Sequence, residues 1–405
     1  MNAIALSARL RRIKPSPSLA ARNRVQALRA QGRDIIDLTV GEPDFNTPAH
    51  IKAAVTTALA AGETRYTPVN GTPALRKAIV GKLDRENGVR YETNQIVVGS
   101  GAKHVIYNAF AATIGEGDEV IIPAPYWVSY PDMVLACDGT PVIIRCGENA
   151  GFKLTANALE NAITPRTRWL VLNSPSNPTG AFYSEAEMRG LADVLLRHPH
   201  VALMTDDIYE HIRFDGLEPV CPVAIEPKLF DRTLLVNGVS KTYAMTGFRI
   251  GYGAGPVNLI GAMNTIQSQS TSCVCSISQA AAIAALTGDQ SFVAEARAAY
   301  RKRRDRAVAL LNTIPGLTCR TPDGAFYVYP SCAGLIGTTT PDGKRLETDF
   351  DVVMHFLDAA GVATVDGTAY GLSPYLRLSI ATSLPKIEEA CERVARACAA
   401  LHRPN

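Results

Sequence analysis

Six short runs of large apolar residues, many β-branched, constrain this chain's fold most: Ile96–Val98, Val120–Ile122, Val142–Ile144, Trp169–Leu172, Val201–Met204 and Leu234–Val236. Helical stretches or longer connections separate them. Strands that alternate with helices pair in parallel, because each connection must cross a face of the sheet and covers it as it does so. The pattern therefore predicts a mostly parallel sheet covered by helices.

The flanks read differently. Ser18 to Gln31 predicts a helix, with Leu19, Val25 and Leu28 at helical spacing and Gly32 as its stop, and Ile35 to Val40 predicts a strand. A long helix is expected over Ser291 to Leu311, where the basic run Arg301-Lys302-Arg303-Arg304 reads as a solvated face. A strand at Ala325–Tyr329, a helix at Phe350–Ala360, a strand at Tyr375–Ile380 and a helix from Lys386 to Leu401 complete a second, smaller α+β unit, against which the N-terminal helix is expected to pack. The expected organisation is an arm and part of the small domain in residues 1–45, a large domain in 46–300 and a small C-terminal domain in 301–405.

Charge excludes some functions. The 41 Lys and Arg against 38 Asp and Glu leave a net charge of +3, which fits neither a basic nucleic-acid binder nor an acidic-tail protein. The nine cysteines hold no zinc-type Cys-x-x-Cys pair. Scattered in this way they read as free thiols of a reducing cytoplasm. Met1 to Pro15 carries Arg9, Arg11, Arg12 and Lys14 without the apolar stretch of a secretory signal, leaving a transit peptide as the alternative. No run approaches the ~18 apolar residues of a membrane helix.

Ligands of open parallel sheets sit outside the carboxyl ends of the strands, and four loops there hold candidate chemistry. Gly99-Ser100-Gly101-Ala102-Lys103 opens a helix with small residues, which suits either a phosphate contact or a plain tight turn. Asn173 to Gly180, stiffened by Pro175 and Pro178, holds Asn177 rigidly, as a site residue or as an Asx turn. Thr205-Asp206-Asp207-Ile208-Tyr209 sets a carboxylate at a strand end and a phenol three residues on; helix capping by Asp206 is the alternative. Asn237-Gly238-Val239-Ser240-Lys241 places a lysine among small and apolar neighbours, with Arg249 eight residues later. Desolvation and nearby positive charge both lower an ammonium pKa, which an imine-forming lysine needs. Together the loops offer a phosphate cradle, an imine-forming lysine, a carboxylate for a ring nitrogen, and Asn and Tyr donors for a phenolate oxygen. That set describes pyridoxal 5'-phosphate.

The chain also resembles the fold-type I, class I pyridoxal-phosphate aminotransferases, and within them the bacterial aspartate/prephenate subgroup. The resemblance runs over nearly the whole chain through Lys14-Pro15-Ser16, Val40 to Phe45, Arg65-Tyr66-Thr67-Pro68, Pro123 to Tyr130, Asn173 to Gly180, Ser240 to Tyr252, Gly324 to Tyr327 and Arg377-Leu378-Ser379. It implies a large domain with a mostly parallel seven-stranded sheet sandwiched by helices, plus a smaller α+β domain. It implies that Lys241 bonds the cofactor and shuttles the proton, that Asp206 pairs with the pyridine nitrogen, and that Asn177 and Tyr209 hold the phenolate oxygen. By the same resemblance Trp127 stacks on the ring. The Ala102 and Lys103 backbone, Arg249 and Tyr66 from a second subunit hold the phosphate, and Gly101 and Ser240 also contact the cofactor. Arg377 clamps the substrate α-carboxylate with Gly41 and Asn177, and Lys103, Lys14 and Ser18 meet a distal carboxylate. The implied reaction is ping-pong transfer of an amino group from an L-amino acid, aspartate or glutamate, to a 2-oxo acid, in a homodimer with shared sites.

Departures from the family pattern lie at Asp207, Phe248, Ser272 to Cys275, Tyr370 and Ser18. The cysteines and Tyr370 bear on the substrate pocket, so a different amino-acid preference, or a lyase on the same fold, stays open. A pyridoxal-phosphate-dependent regulator lacks room for a DNA-binding domain in the forty residues before Gly41, and Gly251-Tyr252-Gly253-Ala254-Gly255-Pro256 fails the dinucleotide fingerprint at its last glycine.

Overall fold

The computed structural model describes residues 4–15 and 17–402, and for residues 17–20 and 22 the backbone only. After a two-residue strand β1 (Ile36–Asp37), the central sheet is built from β2 (Ile96–Gly99), β3 (Glu119–Ala124), β4 (Thr140–Arg145), β5 (Thr167–Asn173), β6 (Ala202–Asp206), β7 (Thr233–Gly238) and β8 (Gly251–Ala254). Their spatial order is β2-β8-β7-β6-β5-β3-β4. β8 runs antiparallel to β2 and β7, and the other pairings are parallel. The expected mostly parallel sheet is thus present.

Both faces of this sheet are buried, and the strand alternation divides their side chains between two cores. Ile96, Val98, Leu170, Leu172 and Leu203 belong to one cluster. Their chain neighbours Val97, Val171 and Met204 belong to the other. Each fully buried Val or Leu contributes about 1.5–3 kcal/mol relative to exposure, which is why these strands read as continuous apolar runs rather than as alternating ones. Only the edge strand β4 is partly exposed along its length.

The six apolar runs did not include β8, whose Gly-Tyr-Gly-Ala sequence carries little strand signal. Its glycines answer to close approach: a Cβ on Gly251 would lie 2.1 Å from the Ala102 amide nitrogen. The segment tested as a dinucleotide turn is instead the strand on which the 101–102 turn rests.

The smaller unit pairs β1 in parallel with β10 (Val362–Ala363), and stacks β11 (Val365–Asp366), β12 (Leu376–Ser379) and β9 (Tyr327–Val328) as an antiparallel sheet in the order β11-β12-β9. Its closing helix, Leu384–Ala399, buries Ile387, Ala390, Cys391, Val394, Ala397 and Cys398, one stripe at helical spacing. The N-terminal helix Pro17–Ala30 docks here through Val25, which clusters with Ile35, Leu357 and Ala363.

Two expectations change. The strand expected over 35–40 stops at Asp37, because the Asp37 carboxylate accepts from both the amide and the hydroxyl of Thr39 and turns the chain. The helix Ser291–Leu311 forms over the expected span, and its Ala296, Tyr300 and Leu311 share one core with Leu346, Val352 and Ile387. The basic run on that helix is not a solvated face throughout. Arg304 is 3% exposed and paired with Asp215, and Arg303 grips Asp44 with both terminal nitrogens, at 2.7 and 2.9 Å.

Candidate active site

One cleft lies at the carboxyl ends of the central strands. Gly41, Ala102, Lys103, Trp127, Asn177, Asp206, Tyr209, Ser240, Lys241, Arg249 and Arg377 all line it. Lys241 follows β7, and its Nζ donates to the Gly41 carbonyl at 2.6 Å. Asp206 ends β6 and is 4% exposed. Tyr130 Oη donates to its Oδ2 at 2.6 Å, while among the described residues the other oxygen receives only a long contact, 3.4 Å, from the Ile208 amide.

The Asn173 side chain fixes the next loop by accepting from the Asn177 amide at 2.8 Å and donating to the Asp206 carbonyl at 2.7 Å. Asn173, not Asn177, makes the turn. Asn177 Oδ1 is left to accept from Arg377 at 3.2 Å. Arg377 also donates to the Thr39 carbonyl at 2.5 Å, and its buried Nε has no partner among the described residues. The guanidinium lies between two aromatic faces, 4.6 Å from the Tyr327 centroid and 5.2 Å from that of Tyr370. Such stacking holds an arginine while leaving its in-plane donors available.

The helix Ala102–Thr113 begins at the cleft without a side-chain cap. Gly101 is in the left-handed region at φ 87°, and a Cβ there would meet an Arg249 nitrogen at 2.3 Å. Glycine is therefore required both for the turn and for the space that brings Arg249 to the helix start. Free amides plus a guanidinium make an anion cradle. Lys103 Nζ lies 4.8 Å from the centroid of the Trp127 ring.

Burial drives the titrations. It pushes the Lys241 ammonium down to about 8, with Glu42 opposing and Arg249 assisting. It pushes Asp206 up to about 6 against the Tyr130 hydrogen bond, the Ile208 amide and the Lys241 charge. A lysine with a pKa near neutrality and a buried carboxylate face the same cleft, the combination that marks reactive sites.

Other expected residues lie elsewhere. Gly101 sits beneath Arg249 at the cleft edge. Tyr66 is 94% exposed and outside the cleft of its own chain. Lys14 is exposed and outside the cleft, with its backbone amide on Asp132 at 3.1 Å. The Ser18 side chain lies outside the described residues. Sequence reasoning gave no role to Asn173, Ile208, Thr246 and Tyr327, which line the cleft, or to Tyr130 behind Asp206. Tyr130 and Tyr327 lie within the family-like segments, but nothing in a run of residues says which hydroxyl meets Asp206 or Tyr209 on a distant part of the chain.

Residues 33–394 match the model of the aminotransferase class I and II family. The chain is 55% identical to the aspartate/prephenate aminotransferase of Cereibacter sphaeroides, over 98% of this chain and 99% of that one. It superposes on the crystal structure of the aspartate aminotransferase of Rhizobium meliloti with a TM-score of 0.97 at 53% identity, covering 98% of this chain and 100% of that one. The Thermus thermophilus aspartate aminotransferase with maleate gives 0.91 at 41% identity, with 98% and 100% covered. The chain belongs to the class I and II aminotransferases. It is a transaminase, and its family works with pyridoxal phosphate. Among the described residues no helix is long and apolar enough to cross a membrane.

Proposed function

We propose that this chain holds pyridoxal 5'-phosphate in the cleft and moves the amino group of aspartate or glutamate to 2-oxoglutarate or oxaloacetate, with prephenate as a further acceptor. One observation carries the reading: Lys241, whose ammonium burial pushes down to about 8, faces the same cleft as the Asp206 carboxylate held by Tyr130. The cradle at Gly101, which a Cβ would fill, supports a phosphate, and the Nε of Arg377, unpartnered among the described residues, supports a carboxylate ligand.

In this reading the Ala102 and Lys103 amides, Ser240, Arg249 and Tyr66 of a second copy hold the phosphate. Asp206 faces the ring nitrogen, Asn177 and Tyr209 face the ring oxygen, and Trp127 covers the ring. When bound, the cofactor supplies an electron sink for charge that develops at the substrate α carbon. Lys241 Nζ takes the proton from that carbon, a task suited to a base with a pKa near the working pH. Arg377, with Gly41 and Asn177, orients the α-carboxylate as a two-pronged donor. Lys103, Lys14 and Ser18 read the distal carboxylate. The exposed Tyr66 supports a homodimer with shared sites, and the buried free thiols of Cys146, Cys221, Cys319, Cys332 and Cys391 support a reducing, cytoplasmic setting.

Borohydride treatment of the coloured protein, followed by peptide mass spectrometry, tests the cofactor reading. The phosphopyridoxyl mass is expected on Lys241. Its absence there, or its presence on another lysine, contradicts the reading. A screen of amino donors against 2-oxo acids tests the substrates.

A further inference from the structure

Tyr327 stands where the two domains meet the cleft, and the observations around it converge. It lies on β9 opposite Ser379 of β12, so Arg377, two residues before Ser379, is its diagonal neighbour on the same sheet face. Its ring carries the Arg377 guanidinium at 4.6 Å. Its hydroxyl meets that of Tyr209, from the large domain, at 2.9 Å. Gly41 leaves room for this hydroxyl, since a Cβ there would come within 2.9 Å of it. Tyr327 is 1% exposed and Tyr209 4%, so water does not substitute freely for either contact.

We propose that Tyr327 is a positioning residue: its hydroxyl donates to Tyr209 Oη and so turns the Tyr209 proton into the cleft, while its ring seats Arg377. Two phenols in contact share one hydrogen bond, and the donor's proton is consumed by it. If Tyr209 donated to Tyr327, it would have no proton left for a ligand oxygen. The reverse arrangement leaves that proton free. The charged groups facing the pair, Arg377 and Asp206, favour the reverse. Burial raises both phenols and the Arg377 charge opposes it at both, but the Asp206 carboxylate adds to the rise at Tyr209, which stands well above the usual phenol range. Tyr327 is therefore the stronger acid and the better donor. One side chain thus sets the direction of the cofactor-facing phenol and the seat of the carboxylate-binding arginine.

This inference rests on the reading that the cleft holds pyridoxal phosphate with Tyr209 at its ring oxygen. The test uses the pH midpoint of the bound cofactor's visible absorbance in the holoenzyme. A donor to the ring oxygen stabilises the proton-free form, so removing Tyr209's hydroxyl in Tyr209→Phe raises the midpoint by about one to two pH units. Tyr327→Phe keeps the ring and is expected to raise it by roughly half a unit or more, leaving the dissociation constant for maleate, a non-reacting dicarboxylate, within about twofold. In the double variant Tyr209→Phe/Tyr327→Phe the midpoint equals that of Tyr209→Phe alone. Tyr327→Leu, which also removes the ring under Arg377, weakens maleate about tenfold. An unchanged midpoint in Tyr327→Phe, shifts that add in the double variant, or maleate binding unaffected by Tyr327→Leu overturns the inference. A wild-type protein that takes up no cofactor overturns the underlying reading and this inference with it, whereas a coloured wild type with any of those three results overturns this inference alone.

Discussion

Tyr130, which does not itself line the cleft, donates its phenolic proton to Asp206 across 2.6 Å. The bond works against burial, which on its own pushes Asp206 higher than about 6. Tyr130→Phe removes a hydrogen bond to a charged group, a loss of about 1.5–3 kcal/mol when the carboxylate is ionised. Because Asp206 is read as the partner of the ring nitrogen, cofactor affinity should fall by about tenfold or more at pH 7. Equilibrium dialysis of pyridoxal phosphate against the apo-proteins measures it, and an unchanged dissociation constant would detach Tyr130 from the cofactor site.

Lys241 should destabilise the apo-protein near neutrality. Its pKa is depressed to about 8 from 10.5, so between those values the unfolded chain binds more protons than the folded one, and stability rises with pH across that window. Below it the buried charge opposes folding. Lys241→Met is expected to stabilise the apo-protein by about 1–3 kcal/mol at pH 7, with the gain shrinking as pH rises from 8 towards 10.5. Thermal melts of both apo-proteins across that range check the sign; a destabilised variant at pH 7 would contradict it.

Beneath the Asp206–Tyr209 loop, the Lys82 ammonium pairs with Glu210, which also accepts from Asn237 at 2.7 Å and Asn87 at 3.0 Å. Glu86, Glu210 and His211 converge in a way that could suit a metal ion, but Lys82 already fills the cationic place beside Glu210. Burial opposes ionisation of Glu210, yet Lys82, His211 and these hydrogen bonds hold its pKa down at about 2, so its stabilising effect is complete above 4.5 and is lost as pH falls towards 2. Lys82→Met strands the carboxylate and should lose about 3–5 kcal/mol in urea unfolding at pH 7. Lys82→Met/Glu210→Gln should recover part of that loss. A single variant within 1 kcal/mol of wild type would show that the pair does not anchor the loop.

Reading of the substrate's distal carboxylate is expected to fall mainly on Lys103, which lines the cleft beside Trp127, and less on Lys14. Lys103→Met should reduce kcat/KM for aspartate by the equivalent of roughly 2–5 kcal/mol and largely spare alanine. Equal losses for the two donors would mean that Lys103 does not read the side chain.

Shared sites make a separate demand. Mixing Tyr66→Phe chains with Lys241→Ala chains should form heterodimers in which one site is intact and the other doubly defective. Activity above that of each parent, after verified subunit exchange, is the expected outcome; none would place Tyr66 outside the partner's site.

Much of this architecture was legible because parallel strands buried on both faces must be apolar along their length, and all six apolar runs are strands. β8 escaped notice because its glycines serve close contacts, Gly251 with the 101–102 turn and Gly253 with Val105 and Leu234, rather than strand propensity. Of the site, the residues that follow strands could be found by position alone. Tyr130 and Tyr327 could not, since their roles come from hydroxyls meeting Asp206 and Tyr209 across 76 and 118 residues of chain. The basic run on the long helix misled for a related reason: Arg304 looks solvated until Asp215 and the Phe214 ring are folded against it.

The central claim is amino transfer, and following the nitrogen tests it most directly. The purified holoenzyme, given L-aspartate carrying isotopically labelled nitrogen and 2-oxoglutarate, should yield labelled glutamate and oxaloacetate in equal amounts, with no label in free ammonia. Label released as ammonia, with no labelled glutamate formed, would contradict it.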